Sequence, residues 1–472
     1  MTVLCVDLDG TLIKTDSLIE STLLALKKKP LLVFVFIFWM LRGKSYYKHK
    51  ITSIAIPDPA FLPYNEDVLS FIKNQKLKGK QIVLTTASVR SVAESVADYL
   101  DVFDDIIPSE GDTNNKGKQK RDTLTEKYGN NWDYIGDSKA DLPVWEAARK
   151  AYAVDPSNKF EKKIRQSANL EFTFNSNNHY LRSFIKEIRV YQWLKNLLIF
   201  LPFLMAHQFS DNNLYYKAFF AFLTFSLSAS FVYVINDLLD LESDRHHPRK
   251  KFRPFASGEL PFMPAFSVSL ILFIAGIVCA SILLPQKFLI VLISYIISTT
   301  LYSFYLKRIY IVDIILLSVL YTIRLIAGSA ALDVPLSKWL MTFSVFFFLS
   351  LAIVKRYTEL MVMKKEKKDK TRGRGYIVDD LQILLSIGTA SGYLSCLVFV
   401  LYLFSPEVTK LYQNSEYLFP VALLILFWIT RIWFMAHRDQ MHDDPIVFTS
   451  KDKVSYFIGF LIILCVIGAI LL

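Results

Sequence analysis

Phe231-Val232-Tyr233-Val234-Ile235-Asn236-Asp237-Leu238-Leu239-Asp240-Leu241-Glu242-Ser243-Asp244-Arg245 carries an apolar run straight into three spaced aspartates. A helix needs about twenty apolar residues to cross a bilayer, and residues 216–235 supply them. At about 100° per residue, positions 237, 240 and 244 fall within about 60° of one another, so a continuous helix gathers the three carboxylates on one face. Such a cluster repels itself unless a hard cation bridges it, and Mg²⁺ takes a few carboxylates plus phosphate oxygens. The expected guest is a Mg²⁺-diphosphate, with Asp237, Asp240 and Asp244 as ligands. The plainer alternative is a solvated acidic loop.

Working outward, apolar runs recur near 194–208, 216–235, 263–284, 287–306, 309–331, 339–354, 380–404, 416–435 and 454–472, nine in all. The 472 residues are 53% hydrophobic yet 21% charged, so the charges must sit between these runs and in a separate soluble part. The loops near 236–262, 307–310, 355–380 and 436–453 hold 19 Lys and Arg, against four in the opposite loops. By the positive-inside rule the first set faces the cytosol, which accounts for the net charge of +11 without a nucleic-acid partner. The run Lys364–Lys370 reads as a loop that sets topology and touches anionic lipid. The expectation is a multi-pass membrane protein with its basic loops in the cytosol, an all-α membrane domain over 181–472 and homo-oligomerisation left open.

Residues 1–155 read differently. Strand-like runs at Val3–Leu8, Gln81–Thr86, Trp132–Ile135 and Ala151–Val154 alternate with helical stretches, which predicts a parallel α/β sheet. The N-terminus, MTVLCVDLDGTL, lacks the pattern of a signal peptide, so this domain is expected in the cytosol. Residues 156–180 read as a linker. Asp7 and Asp9 follow the first strand with the same orientation, a pair suited to phosphoryl transfer: one carboxylate attacks phosphorus and the other shuttles the proton. Residues 13–80 hold an insertion with Leu31–Leu41, eleven apolar residues, too few to span. Flanked by Lys27, Lys28, Lys29, Arg42 and Lys44, this run fits either a helix in the lipid interface or a buried helix of the insertion.

These stations resemble the haloacid dehalogenase (HAD) superfamily, a Rossmann-like fold whose insertion is a cap. The resemblance implies Asp7 as nucleophile, Asp9 as acid/base, Thr86 in Thr86-Ala87-Ser88 as the phosphate-binding hydroxyl and Lys120 as the lysine steadying the phosphoryl group. Lys116 and Lys118 are close rivals for that last role. Tyr134-Ile135-Gly136-Asp137-Ser138 with Asp141 resembles the acidic motif, giving Asp7, Asp9, Asp137 and Asp141 as Mg²⁺ ligands.

The membrane half resembles the UbiA superfamily of nine-helix transferases through Asn236-Asp237-x-x-Asp240-x-x-x-Asp244, then Tyr302-Ser303, Lys307-Arg308, Asp313 and Arg324 to Gly328. Within it, Gln192-Trp193-Leu194-Lys195-Asn196, Ser337 to Leu340, Lys355-Arg356-Tyr357-Thr358-Glu359-Leu360, Arg431 to Trp433 and Asp443-Asp444-Pro445 resemble the decaprenyl-phosphate phosphoribosyltransferase branch. Members pass phosphoribose from phosphoribosyl diphosphate (PRPP) to a polyprenyl phosphate. A diphosphate, a 5-phosphate and the lipid phosphate then need cations, and Lys195, Arg245, Lys250, Arg253, Lys307, Arg324, Lys355 and Arg356, with Asn236 and Asp313, are the implied substrate-binding residues. Asp313 and Arg324 stand out as ionisable groups in an apolar span, where charge is expensive. The expected whole is a bifunctional enzyme whose HAD domain removes the 5-phosphate. Its rivals are prenyl transfer from a prenyl diphosphate to an aromatic or other acceptor, and a HAD domain that is an idle sensor or scaffold.

Overall fold

The computed structural model describes residues 2–109, 115–176, 179–205, 211–247, 249–367, 374–406, 408, 412, 414–441 and 444–471. Asp443 of the expected Asp443-Asp444-Pro445 match, Lys410, and Lys368 and Lys370 of the basic run lie outside them. The chain divides into two compact units, Met1–Ile188 with Tyr233–Val268, and Arg189–Val232 with Ser269–Leu472.

In the first unit six parallel strands form one sheet: β1 (Val3–Val6), β2 (Gln81–Val89), β3 (Asp105–Ser109), β4 (Trp132–Gly136), β5 (Ala151–Val154) and β6 (Leu170–Phe174), in the order β3-β2-β1-β4-β5-β6. Central β1 is apolar throughout because both its faces are covered. Leu4 and Val6 join a core with Ile72, Val92 and Val96, whereas Val3 and Cys5 face Trp132, Tyr134 and Ile164 on the other side. The chain winds outward from β1 to β3, then restarts at β4 on the opposite flank of β1. A crevice therefore opens at the carboxyl ends of β1 and β4, with Asp7 following the one and Asp137 the other.

Two sequence expectations change here. Residues 156–180 are not simply a linker, because they contain a helix, Asn158–Ser167, and the edge strand β6, which pairs Phe174 with Val154. Leu170 and Phe174 point inward while Glu171 and Phe172 are exposed, so an edge strand with polar surroundings leaves only a weak apolar pattern. The insertion forms three helices, α1 (Ser17–Lys28), α2 (Leu32–Leu41) and α3 (Lys44–Ile54). The buried-helix reading of Leu31–Leu41 does not hold: Phe36 alone is buried, edge-on to Tyr47, while Phe34, Phe38 and Leu41 are 68%, 67% and 79% exposed. Helix α2 is apolar all round, and one stripe suffices to dock it.

Among the described residues eight helices are long and apolar enough to cross a membrane: Asn212–Leu239, Phe262–Leu283, Gln286–Phe304, Val312–Leu332, Lys338–Lys365, Val378–Leu403, Ser415–His437 and Lys453–Ile470. The first of the nine expected runs, 194–208, departs from a long helix. Its residues 206–208 lie outside the described ones, and the rest is a 3-10 stretch, Val190–Phe200, then a five-residue helix, Leu201–Met205, which begins at Leu201 because Pro202 is tolerated only in a first turn. In the second unit this stretch lies hard against Val312–Leu332, where a β-carbon on Gly328 would stand 2.1 Å from the Ile199 carbonyl oxygen. Only glycine permits that approach.

Candidate active sites

The crevice beyond β1 and β4 is a cavity of about 340 Å³ with Asp7, Asp9, Asp137, Asp141, Lys120 and Ser88 in its walls. Gly10, at φ +72°, turns the chain between Asp9 and Thr11, and a β-carbon there would collide with the Asp137 carboxylate at 2.3 Å. Ser138 caps the next turn, its backbone N–H and hydroxyl donating to Asp141 at 3.0 and 2.8 Å, which aims that carboxylate back at Asp7. Among the described residues only Asp7, Asp137 and Asp141 bring three ligand oxygens within 4.8 Å of one another. Lys120 is buried and donates to Asp7 Oδ2 at 2.8 Å and to the Tyr134 hydroxyl at 2.9 Å, while that hydroxyl donates to Asp141 at 2.8 Å. Of the three rival lysines, Lys120 touches Asp7, and Lys116 lines the cavity with an exposed side chain.

Burial, then the charges of Asp7 and Asp141, push Asp137 up to about 8. Burial works against the Lys120 ammonium, but Asp7 and Asp141 outweigh it and hold its pKa up. The repulsion among three hard oxygen donors is what a divalent cation relieves, so the set fits Mg²⁺. The Asp9 carboxylate does not belong to it. Asp9 accepts instead from the Ser88 hydroxyl at 2.7 Å and from the Ser17 backbone N–H at 2.7 Å, so its expected role as a side-chain metal ligand is withdrawn. Thr86 is also displaced from its expected place: it is fully buried and accepts from the Ser88 N–H, leaving Ser88 as the hydroxyl in the cavity wall.

Burial, then the Asp16 charge, raises Asp9 to about 7. A carboxyl protonated below that pH can donate to a leaving oxygen, and above it the acid form is lost. Phosphate release is therefore expected to fall by up to about tenfold per pH unit above pH 7. A rate flat from pH 7 to 9 would remove Asp9 from the acid role.

In the same unit, Asp237 and Asp244 are buried and converge on Arg253, whose guanidinium donates to them at 3.0 and 2.5 Å. Burial, and the Asp237 charge, raise the Asp244 pKa despite Arg253. Asp240 turns elsewhere, to Lys27 of α1 at 3.5 Å, so the three carboxylates do not all converge as a continuous helix predicts. The reason is local: Asn212–Leu239 ends and Leu241–Arg245 begins with Asp240 between them, off helical geometry at φ −92° and ψ 9°. Two carboxylates still fit a Mg²⁺-diphosphate, since Mg²⁺ is commonly held by one or two carboxylates with substrate phosphates. Lys250 stands 3.9 Å from Asp244, and Asn236 is half-buried one turn before Asp240.

Arg245 is not directed at these acids. It donates to both Glu20 oxygens at 2.7 and 2.6 Å and to the Ala256 carbonyl at 2.9 Å, with both side chains less than a tenth exposed. It is an anchor between the motif and α1 rather than a substrate ligand. Glu20, which belongs to no motif, also accepts from Thr15 at 2.6 Å. Removing one partner of a buried pair costs about 3–5 kcal/mol. Glu20→Ala is thus expected to lower the melting temperature by roughly 6–20 °C. An unchanged melting curve would show that the pair does not hold α1.

Three polar networks of the second unit hold the expected substrate-binding residues Lys195, Asp313, Arg324, Lys355 and Arg356. Asp313 accepts from Tyr302 at 2.8 Å, from Arg356 and from Arg374 at 3.2 Å, and Glu359 joins through Arg356 at 2.6 Å. Asp444 accepts from Lys195 at 2.8 Å and Lys355 at 3.2 Å, and these cations hold its carboxyl below the usual range despite burial. Arg324 is buried among Phe225, Tyr295 and Tyr321 and donates to Asn196 at 2.8 Å, and Asn196 in turn donates to Ser226. Lys307 is half-buried on the turn Leu306–Arg308. Arg374 and the pairing role of Asp444 were missed because they come from distant loops.

The model of the UbiA prenyltransferase family matches residues 196–461, more than half of the chain. The chain belongs to the UbiA prenyltransferase family. With its long apolar helices this UbiA protein is a multi-pass membrane protein, and residues 4–146 match the model of the haloacid dehalogenase-like hydrolases. It is similar along 97% of its length to the protein y4nM of Sinorhizobium fredii, at 38% identity over 458 residues and 89% of that chain. The nodulation protein NoeC of Azorhizobium caulinodans is 31% identical over 289 residues, 61% of this chain and 90% of its own. The decaprenyl-phosphate phosphoribosyltransferase of Mycobacterium tuberculosis is 37% identical over 185 residues, 38% of this chain and 61% of its own. UbiA and HAD modules thus share one chain.

Proposed function

We propose that the protein transfers 5-phosphoribose from PRPP to a polyprenyl phosphate, and that its HAD domain removes the 5-phosphate to leave polyprenyl-phosphoryl-ribose. The observation that carries this reading is the similarity of the UbiA half to a decaprenyl-phosphate phosphoribosyltransferase, in a chain that also holds an acid-lysine cluster suited to phosphoester hydrolysis. In the first reaction a phosphate oxygen of the lipid attacks C1 of ribose and diphosphate leaves; Arg253 and Lys250 supply positive charge beside Asp237 and Asp244. In the second, Asp7 attacks phosphorus to form an aspartyl phosphate while Asp9 protonates the departing ribose oxygen; Asp9 then takes a proton from the water that hydrolyses it. Lys120 steadies the phosphoryl oxygens. Mg²⁺, held by Asp7, Asp137 and Asp141 in one site and by Asp237 and Asp244 in the other, would offset phosphate charge during both displacements.

The loop bias of 19 basic residues to four supports a bacterial inner-membrane location with both reactions on the cytoplasmic side. Fusion supports coupling, since it raises the effective concentration of one product at the second site. The test supplies purified full-length protein with PRPP, a polyprenyl phosphate and Mg²⁺ and identifies the lipid products. Polyprenyl-phosphoryl-ribose is the expected product, and an unmodified lipid overturns the reading. The description of the matched family favours one second reading, prenyl transfer from a prenyl diphosphate, which predicts turnover without PRPP.

A further inference from the structure

The cavity above Asp7 is more cationic at its rim than one phosphate requires. Lys120 and the metal-binding carboxylates account for the floor, yet Lys44, Lys48 and Lys116 also line the walls. Lys48 on α3 is 9% exposed and donates to the Ala87 carbonyl at 2.6 Å, one residue from Ser88, while Lys44 and Lys116 are exposed. Burial, then the neighbouring charge of Lys44, depresses the Lys48 amine, with a smaller part from Lys116, and Asp9 and Asp16 only partly offset them. A second anion between the three lysines would relieve that cost.

The opposite wall is apolar. Pro261, Phe262, Met263 and Pro264 border the cavity, and these residues start the membrane-crossing helix Phe262–Leu283. Met263 is 57% exposed. That wall is thus formed by residues at the end of a helix long and apolar enough to cross a membrane. Helix α2 agrees: ten residues rise about 15 Å, half a hydrocarbon core, so its exposed apolar side chains belong in the interface, with Arg42 and Lys44 beside anionic headgroups.

We infer that this cavity has a second anion subsite, formed by Lys44, Lys48 and Lys116, for the phosphodiester of a lipid-linked phosphosugar, and that Pro261–Pro264 guide its polyprenyl chain into the bilayer. The inference rests on the HAD domain acting as a phosphatase. It makes the enzyme selective for a substrate with two phosphates, one cleaved at Asp7 and one held at the rim.

The test measures phosphate release by the full chain in lipid nanodiscs from three probes: polyprenyl-phosphoryl-5-phosphoribose, its soluble methylphosphoryl analogue, and ribose 5-phosphate. Lys44→Glu and Lys116→Glu, both at exposed positions, are compared with Lys48→Ala. Loss of a charge-assisted contact is expected to lower kcat/KM for both diester probes by about ten- to hundredfold relative to ribose 5-phosphate. Met263→Ser is expected to lower the lipid probe against the methyl analogue. Equal losses on all three probes, or none, overturn the subsite. Absence of release from every probe by the wild type overturns the phosphatase reading itself.

Discussion

Asp7→Asn is expected to lower phosphate release from the phosphoribosyl lipid by at least about a thousandfold, some 4 kcal/mol of barrier, while phosphoribosyl lipid accumulates. The amide keeps the size of the carboxylate but cannot attack phosphorus, and no other carboxylate takes its place. Asp9 is tied to Ser88 and Ser17, Asp137 accepts from Thr11, and Asp141 accepts from Tyr134 and Ser138. The measurement is mass spectrometry of the lipids formed from PRPP and polyprenyl phosphate. Wild type is expected to yield polyprenyl-phosphoryl-ribose and the variant its 5-phosphorylated precursor. Identical products from both would end the proposed coupling, whatever either domain does alone.

Asp244→Asn is expected to reduce phosphoribosyl transfer by a similar factor, about a thousandfold or more. Asp244 is 3% exposed and shares Arg253 with Asp237, so the substitution removes half of a two-carboxylate set and leaves Arg253 with one partner. The readout is diphosphate released from PRPP in the presence of polyprenyl phosphate. Phosphate release from phosphoribosyl lipid supplied directly separates a lost transferase step from a misfolded chain, because that step uses the Asp7 cavity. Asp240→Asn provides the contrast: its carboxylate faces Lys27, so a much smaller loss is expected. Equal losses at Asp240 and Asp244 would mean that the helix break at Asp240 does not separate their roles.

The sheet and most membrane helices were legible because each announces itself within a short window. The run Val3–Val6 is apolar at every position, as a strand covered on both faces must be, and each apolar run of 18 or more residues has few other places to go. The edge strand β6 was hidden because only Leu170 and Phe174 face inward, and the first expected span was overread because hydropathy does not register Pro202. At the Asp7 site, spacing paired Asp7 with Asp9 but could not tell which carboxylate joins Asp137 and Asp141. That difference is set by Ser88 and Ser17, which approach Asp9 from another strand and helix.

The sequence by itself determined two solvents, a parallel α/β domain, and two acidic motifs of a kind suited to phosphate chemistry, since composition and short-range periodicity depend on neighbours a few positions apart. Only the tertiary structure decided which carboxylates meet. Asp7 is joined by Asp137 and Asp141 across 130 and 134 residues of chain, Arg245 is claimed by Glu20, and Asp240 is drawn to Lys27. A buried charge takes whatever partner packing brings within about 4 Å, and that choice depends on how distant elements pack, which no local pattern encodes.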